Sequence, residues 1–359
     1  MSLIEKLKKI IEKSDTTITS VDFTYDLIIE ELKNYEIEEI DLEIAGDEKL
    51  FQEKQQQATK KILSLINEND DVLKIVDKEG YNIGMLAAKL KLEDVVLRAL
   101  DNMEASLQQS NIGKMNIGMY AAEYDLEKAT IKALDNTEAS LQQSTYRENI
   151  GMKAAKYGLE EATIKALDNY EASIQQDFWG YNIGMYAVQS RLEKASLKAL
   201  DNEKASLQYT KQEQNTIGLM AVEKGMEKVA LKALENPLAC THQNKFGRNI
   251  GMEAMMKRME NVGLKALDDY GAAIQIDDWG WNIGMFAAFA GVESCAMKSV
   301  FVDKARKQIS FDYRHSIRSL AEAKDFKRVV EEIDKFGDNE NLYEIKENNQ
   351  LNDLDTPMA

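Results

Sequence analysis

NIGMYAA, at residues 116–122, is the stretch of sequence that decides the fold, because its first four letters recur along most of the chain. Asn-Ile-Gly-Met begins at positions 82, 116, 149, 182, 249 and 282, and the variants Thr-Ile-Gly-Leu and Ser-Ile-Arg-Ser begin at 216 and 316. Successive starts are 33 or 34 residues apart. A unit of this length holds two short helices and a turn, which bury their apolar faces only by stacking on neighbouring units. The sequence therefore predicts an all-α helical repeat solenoid of eight repeats, numbered 1 to 8 in the order of these starts.

Each unit carries the signals of two helices. Asn116 is a good N-cap for the first helix, and Gly118 with the small pair Ala121-Ala122 keeps that helix slim enough for close packing. The second helix is predicted over 126–134, followed by a turn that leads to the next cap. The residues expected on its inward stripe are Leu126, Ala129, Ile131 and Leu134, and those expected in water are Glu127, Lys128 and Lys132.

The best-preserved units read DFWGYNIGMYA at 177–187 and DDWGWNIGMFA at 277–287. In their Asp-x-x-Gly turn, helix opening, small pair and 33-residue period, these units resemble the ankyrin repeat family, and the resemblance covers residues 77–336. It implies an ankyrin-like array in which the turns project as short fingers beside a concave face. Asn-Ile-Gly-Met replaces the usual Thr-Pro-Leu-His, so Asn capping must substitute for the Thr-to-His hydrogen bonding. Turns that have lost the Asp-x-x-Gly pattern, such as 211–215, are expected to be irregular.

The remaining segments flank the array. Residues 1–46 are an N-terminal helical extension with predicted helices over 3–13 and 21–34, which either pack on the following segment or form a small bundle of their own. Residues 47–76 are predicted to be a degenerate capping repeat that begins with a helix pair, since a terminal repeat needs a polar outer face. Residues 77–336 are the array, and 337–359 are predicted to be an acidic mobile tail.

Composition and charge limit the possible partners. The chain has 62 Asp+Glu against 45 Lys+Arg, a formal net charge of −17, which repels nucleic acid and anionic membranes. We therefore expect a protein partner, itself basic, and neither nucleic acid nor membrane. Charges interrupt every apolar run of the N-terminus, and Cys240 and Cys295 follow no metal or redox spacing. These features predict a cytoplasmic protein, and we expect a monomer.

Catalytic motifs are missing from the sequence. His242 and His315 are its only histidines and lie in different repeats, and it has no phosphate loop, nucleophile elbow or zinc-binding helix motif. Carboxylates that follow the repeat, such as Glu127, Glu160 and Glu193, are predicted to form a solvated face. We expect no enzymatic activity, no metal and no cofactor.

Aromatic residues at the turns, together with those just after the small pairs, are the candidate binding residues. All three tryptophans of the chain lie on turns, and exposed aromatic side chains carry much of the energy at protein interfaces because they bury a large area at low rotamer cost. The predicted partner-binding residues are Tyr81, Tyr124, Tyr146, Tyr157, Trp179, Tyr181, Phe246, Trp279, Trp281 and Phe289. The alternative is that adjacent fingers stack on one another and only stiffen the array. Tyr120, Tyr186 and Phe286 are predicted to pack between helices instead.

A longer period runs through the turns. The complete turns at 77–81, 177–181 and 277–281 are 100 residues apart, as the duplication of a three-repeat block would produce. One hypothesis is that these fingers contact a partner at regular intervals. The alternative is a duplication whose 100-residue spacing has no role in binding.

Together these features predict a non-catalytic scaffold that binds a protein partner through finger and concave-face aromatics. Two other functions fit the same features. One is an immunity or inhibitor protein that masks a basic toxin or nuclease, and the other is a bacterial effector delivered into a host cell.

Overall fold

We describe residues 20–45 and 48–337 of a computed structural model. This part of the chain consists of helices joined by turns and loops, with one isolated bridge between Ile309 and Ser316. The predicted all-α repeat solenoid is confirmed, because neighbouring helix pairs pack in series. The chain divides into two compact units, Met1–Ala172 and Ser173–Ala359. The predicted helix over 3–13 and the predicted tail beyond Gly337 lie outside the described residues.

The helices of the first unit are those of the N-terminal cap and of repeats 1 to 3. They are Ser20–Ala45, Glu48–Glu68, the 3-10 helix Asp70–Lys74, Ile83–Lys89, Glu93–Leu100, Met103–Leu107, Ile117–Glu123, Glu127–Ala133, Thr137–Leu141, Ile150–Lys156 and Glu160–Ala166. The helix Tyr170–Ile174 ends repeat 3.

The second unit holds repeats 4 to 8. Its helices are Ile183–Gln189, Glu193–Ala199, Glu203–Leu207, Ile217–Lys224, Glu227–Ala233, Pro237–Thr241, Ile250–Met256, Glu260–Ala266, Tyr270–Ile274, Ile283–Ala290, Glu293–Val300, Asp303–Arg306, Ile317–Ala323 and Lys327–Lys335.

Repeats 1 to 7 contain a third, short helix that the sequence analysis missed. The segment after Asn136, predicted to be a turn, forms the helix Thr137–Leu141, and Asn136 caps it by accepting a hydrogen bond from the backbone N–H of Ala139 at 3.1 Å. Each repeat up to the seventh therefore has a first, a second and a third helix, and the two-helix prediction was wrong in this respect.

The N-terminal cap also differs from its prediction. Its expected helix pair is one continuous helix, Glu48–Glu68, followed by a 3-10 turn. Ile28 of the preceding helix is buried in the same core as Ile62 and Ile83. The helix Ser20–Ala45 therefore packs on the cap and on repeat 1, and the alternative of a separate bundle is excluded for it.

A buried network of Asn and Gln side chains joins the first and third helices. Asn116 Oδ1 accepts a hydrogen bond from Met119 N at 3.0 Å, which confirms the predicted Asn cap. Its Nδ2 donates to Ala139 O at 2.9 Å and to Gln142 Oε1 at 2.8 Å. Gln142 Nε2 in turn donates to Leu107 O of the preceding repeat at 2.7 Å. The same bonds recur around Asn82, Asn182 and Asn249.

The glycine of each Asn-Ile-Gly-Met phrase is required by the next repeat. A Cβ atom on Gly118 would lie 2.6 Å from both Ala133 Cβ and Ile150 Cδ1, far closer than real Cβ contacts allow. Ile150 opens the first helix of repeat 3, so the glycine lets consecutive first helices approach closely. In repeat 8 the same position holds Arg318, which forms ion pairs with Glu322 and Asp334.

The second helices are linked by ion pairs between repeats. Lys132 was expected in water, but its Nζ lies 2.6 Å from a carboxylate oxygen of Asp101 in the preceding repeat. Glu127, also expected in water, is half-buried, and its Oε1 accepts a hydrogen bond from Glu161 N at 3.1 Å. The predicted inward stripe is confirmed, because Leu126 and Ala129 are buried and the half-buried Ile131 and Leu134 pack against the core. Thr130 and Ala133, which were not predicted, are buried as well. The expectation that Glu127 and Lys132 lie in water was wrong, because both bond to the neighbouring repeat, whereas Lys128 is exposed as expected.

Candidate functional site

The fingers, the turns that precede each first helix, are joined to one another by backbone hydrogen bonds. Within the second unit, Lys211 N donates to Trp179 O at 2.9 Å and Phe311 N donates to Trp279 O at 3.0 Å. The backbone therefore supplies the stiffening that stacked aromatic side chains would otherwise supply. The side chains of Trp179 and Trp279 remain exposed.

Finger 7, Asp277–Trp281, shows how the sequence fixes the direction of its aromatic residues. Asp277 is buried, and its Oδ1 accepts hydrogen bonds from the backbone N–H groups of Trp279 and Trp281, both at 2.9 Å. Gly280 has φ = +81°, a conformation that glycine adopts without strain. The turn therefore leaves Trp279 exposed and Trp281 half-buried.

The 100-residue period is present in the geometry of the fingers. The finger of repeat 2 closes with a hydrogen bond from Ser110 N to Met115 O, one residue longer than the bond from Asp77 N to Tyr81 O in repeat 1. The same longer turn recurs 100 residues later at Thr210 and again at Ser310. The turn at 211–215 was expected to be irregular, and that expectation was wrong. It is one of three equivalent longer fingers.

Repeats 6 to 8 enclose a concavity with a volume of about 960 Å³. It is lined by finger residues, by residues of the first helices and by the turns that follow those helices. The lining residues are Arg248, Met256, Arg258, Asp278, Trp279, Trp281, Phe286, Phe289, Ala290, Phe311, Asp312, His315 and Lys324. We call this concavity the aromatic pocket.

Three of the aromatic side chains that line the pocket are more than half exposed: Trp279 at 57 %, Phe289 at 58 % and Phe311 at 59 %. Trp281 lies between the finger and the helix. Its ring centroid is 5.5 Å from that of Phe289 and 5.2 Å from that of His315, both in edge-to-face arrangement. Rings in contact in this way form a rigid apolar surface whose outer faces are open to a ligand.

Arg248 forms one wall of the aromatic pocket and is largely buried. Its guanidinium carbon lies 4.9 Å from the ring centroid of Trp279 and 5.2 Å from that of Phe286. Its nitrogens also lie 3.4 Å from Asp277 Oδ2 and 3.5 Å from Glu253 Oε1. These contacts neutralise the charge of Arg248 within the protein and fix Trp279 beside it.

An ion pair of the opposite polarity occupies the same two positions 100 residues earlier. In repeat 3, Glu148 is the finger residue and Lys153 the helix residue, and their charged atoms are 3.1 Å apart. Both side chains are nearly inaccessible to solvent. Burial lowers the pKa of Lys153, but its ion pairs with Glu123 and Glu148 outweigh this and raise the pKa above its usual value.

The structure separates the ten predicted binding residues into two groups. Six are exposed: Tyr146, Tyr157, Trp179, Phe246, Trp279 and Phe289. The other four are half-buried: Tyr81, Tyr124, Tyr181 and Trp281. Of the ten, only Trp279, Trp281 and Phe289 line the aromatic pocket.

The half-buried members of the set contact the first helices. Tyr81 packs on Tyr120 at 5.6 Å between ring centroids, and Tyr181 packs on Tyr186 at 5.2 Å. Tyr120, Tyr186 and Phe286 are buried, as predicted.

Several pocket residues were missed by the sequence analysis. Phe311 and His315 belong to a longer finger that lacks the Asp-x-x-Gly pattern, and Arg248, Arg258 and Lys324 are charged residues of a kind that most often faces solvent. A comparison at an offset of 100 residues would have revealed the aromatic ones, because Lys211 and Asn215 occupy the positions that correspond to Phe311 and His315.

Over residues 20–45 and 48–337, His, Cys, Asp and Glu side chains do not come together in groups of three or more that could hold a metal ion. Among the helices described, none has both the length and the apolar character needed to cross a membrane. Cys240 and Cys295 are both buried and unpaired with each other, and burial raises the pKa of each thiol to about 11.

Comparison with known proteins does not identify a family. No protein-family model matches the chain, and no curated protein matches it in sequence. The resemblance to ankyrin repeats stays a prediction from the sequence.

Proposed function

We propose that the chain is a non-catalytic, ankyrin-like scaffold that binds a protein partner, with the aromatic pocket of repeats 6 to 8 as the main contact. One observation carries this proposal. The fold accommodates Gln189 and Lys211 where repeats 7 and 8 have Phe289 and Phe311, so the solenoid itself does not require aromatic residues at these positions. Two large apolar side chains that the fold does not need, and that are more than half exposed, are typical of a binding surface.

The volume of the aromatic pocket supports a segment of a macromolecule as its ligand. A volume of about 960 Å³ is at the upper end of the range for small-molecule pockets. Fingers and first helices supply its walls, so the site combines an aromatic floor with charged residues at the rim, the usual anatomy of a protein interface. The free, buried cysteines fit a reducing compartment, and we propose the cytoplasm.

The experiment replaces aromatic residues of the pocket by the residues that occupy the equivalent positions of other repeats. A photo-cross-linking amino acid at position 289 is expected to capture the partner in the source cell, and one at exposed Tyr270, on the third helix of repeat 6, is expected not to. The captured protein is then purified, and its binding to the full chain is measured by calorimetry. Phe289→Gln combined with Phe311→Lys should weaken binding about 1,000-fold, since central interface aromatics contribute about 2 kcal/mol each.

Tyr270→Gln serves as the matched control, because it removes an exposed ring outside the pocket, and it should leave the affinity unchanged. Circular dichroism should show both variants folded, since Gln and Lys occupy the equivalent positions of repeats 4 and 5. Binding that survives Phe289→Gln with Phe311→Lys within about threefold would overturn the assignment of the pocket.

A further inference from the structure

The charged residues of the aromatic pocket lie at two opposite rims. Arg258 follows the first helix of repeat 6 and Lys324 follows the first helix of repeat 8, so both lie at the C-terminal ends of first helices. Asp278 and Asp312 belong to the fingers, at the N-terminal ends of such helices. A first helix of seven or eight residues separates its two ends by about 10–12 Å.

The cations of the first rim have no anionic partner. Neither Arg258 nor Lys324 forms an ion pair with any residue in the described part of the chain, and Lys324 Nζ lies 5.8 Å from the ring centroid of Phe289. Arg248, by contrast, is neutralised by Asp277 and Glu253. The pocket therefore places two cations without an ionic partner beside one set of exposed rings, although the net charge of the chain is −17.

We propose that the pocket takes a segment of the partner in which an aromatic side chain is flanked by carboxylates. The aromatic side chain lies against Trp281, Phe289 and Phe311, and a neighbouring carboxylate pairs with Arg258 and Lys324. This inference rests on the proposed function and adds to it the chemistry of the segment that binds.

A partner segment with cationic side chains is disfavoured, because cations of this chain already cover aromatic rings of the pocket. Arg248 lies over Trp279 and Phe286, and Lys324 lies over Phe289, so the chain's own cations occupy the ring faces that a ligand cation would need. At the rim formed by Arg258 and Lys324, a ligand cation would also be repelled. The net charge of −17 acts on the approach of the whole partner at long range, whereas pairing at the rim is decided by the charges in contact.

The test uses short fluorescein-labelled peptides with the central sequences Glu-Phe-Glu, Lys-Phe-Lys and Glu-Ala-Glu, and the full chain carrying Trp179→Phe. That substitution leaves Trp279 and Trp281 as the only tryptophans, so intrinsic fluorescence reports on the pocket while anisotropy reports binding. Glu-Phe-Glu should bind about tenfold more tightly than Lys-Phe-Lys, because two exposed ion pairs each contribute up to about a fivefold change. Glu-Ala-Glu should bind at least about tenfold more weakly than Glu-Phe-Glu.

Charge-exchange variants give the decisive comparison. Arg258→Glu with Lys324→Glu should reverse the order, so that Lys-Phe-Lys binds more tightly than Glu-Phe-Glu. The matched control, Arg191→Glu with Lys224→Glu, changes the net charge by the same amount at the ends of the first helices of repeats 4 and 5 and should leave the order unchanged. An order that is reversed equally by both pairs would show an effect of net charge only and would overturn the inference.

Two further outcomes would overturn it in different ways. Equal binding of Glu-Phe-Glu and Lys-Phe-Lys, lost from both in Phe289→Gln with Phe311→Lys, would reject the flanking carboxylates and leave the proposed binding function standing. Glu-Phe-Glu binding about tenfold more tightly to a chain that ends at Gly337 would show that residues 338–359 of this chain, and not a partner, occupy the pocket.

Discussion

Asn116→Asp tests whether the buried Asn–Gln network, and not helix capping alone, holds a repeat together. Asp is as good an N-cap as Asn, so a carboxylate at position 116 keeps the acceptor for Met119 N. It loses the Nδ2 donor, however, and places an anion against Ala139 O and Gln142 Oε1, which now lie 2.9 and 2.8 Å from that donor.

The structure sets the size of the effect. Two hydrogen bonds from Nδ2 are lost, each contributing about 1 kcal/mol, and a residue with no solvent exposure now carries a charge beside two acceptors, which adds at least about 1 kcal/mol. We therefore expect the free energy of unfolding to fall by about 3 kcal/mol. Urea unfolding followed by circular dichroism gives this value, and hydrogen exchange should show about 100-fold faster exchange in repeats 2 and 3.

Asn136→Asp is the matched control, because Asp269 performs the same third-helix capping in repeat 6, accepting a hydrogen bond from Ala272 N at 2.8 Å. It should lower the free energy of unfolding by no more than about 1 kcal/mol. If Asn116→Asp is as stable as the unmodified chain within about 0.5 kcal/mol, the network contributes nothing beyond a cap and the argument for it fails.

Three further predictions concern packing, charge and thiol reactivity. Gly118→Ala should destabilise the first unit by about 2 kcal/mol in urea unfolding, because its Cβ would overlap the next repeat; an unchanged midpoint would show that the helices can separate. Lys153→Glu should cost about 3 kcal/mol, because it places a third carboxylate beside Glu123 and buried Glu148, which then keeps only its ion pair with Lys156. Adding Glu148→Arg, which copies the pair at 248 and 253, should restore most of this loss, whereas no recovery would contradict the equivalence of the two sites. Burial raises the thiol pKa of Cys240 and Cys295 to about 11. Both thiols should therefore react with iodoacetamide at pH 8 about 100-fold more slowly in the folded chain than in urea, and faster as the pH approaches 11. Equal reactivity of the folded and the unfolded chain would refute their burial.

The first two helices of each repeat were predictable because their signals are local. Asn116 marks the cap, Gly118 and the alanine pair mark the slim face, and the 33- or 34-residue spacing fixes the number of units. The third helix was not predictable, because five residues such as Thr137–Leu141 are too few to show a helical period. Its stability comes from the cap at Asn136 and from bonds that reach across repeats, such as Gln142 to Leu107.

The candidate site likewise contains residues that could be predicted from the sequence and residues that could not. Trp279 and Trp281 were found from the sequence because aromatic residues at turns are informative by type alone, and Phe289 was found because it follows the small pair of its helix. Arg248 was not, because a charged residue at a turn is usually solvated, and its burial depends on Asp277 and Glu253, which are 29 and 5 residues away in sequence.

The reversed ion pairs explain why a pocket forms in repeats 6 to 8 and what distinguishes it from its counterpart. In repeat 3 the cation is Lys153 on the first helix, and its Nζ lies 5.9 Å from the ring of Tyr157 at the end of the same helix. In repeat 6 the cation is Arg248 on the finger, and it lies over Trp279 of the next finger. Exchanging the polarity of the pair therefore moves the cation from the helix to the finger without changing the net charge. The finger tryptophan of repeat 7 is then fixed by an internal cation, and Arg258, which follows the first helix of repeat 6, has no ion-pair partner of its own. On this view the repeat supplies equivalent positions, and the choice of charge at two of them decides which rings are closed from within and which are open to a ligand.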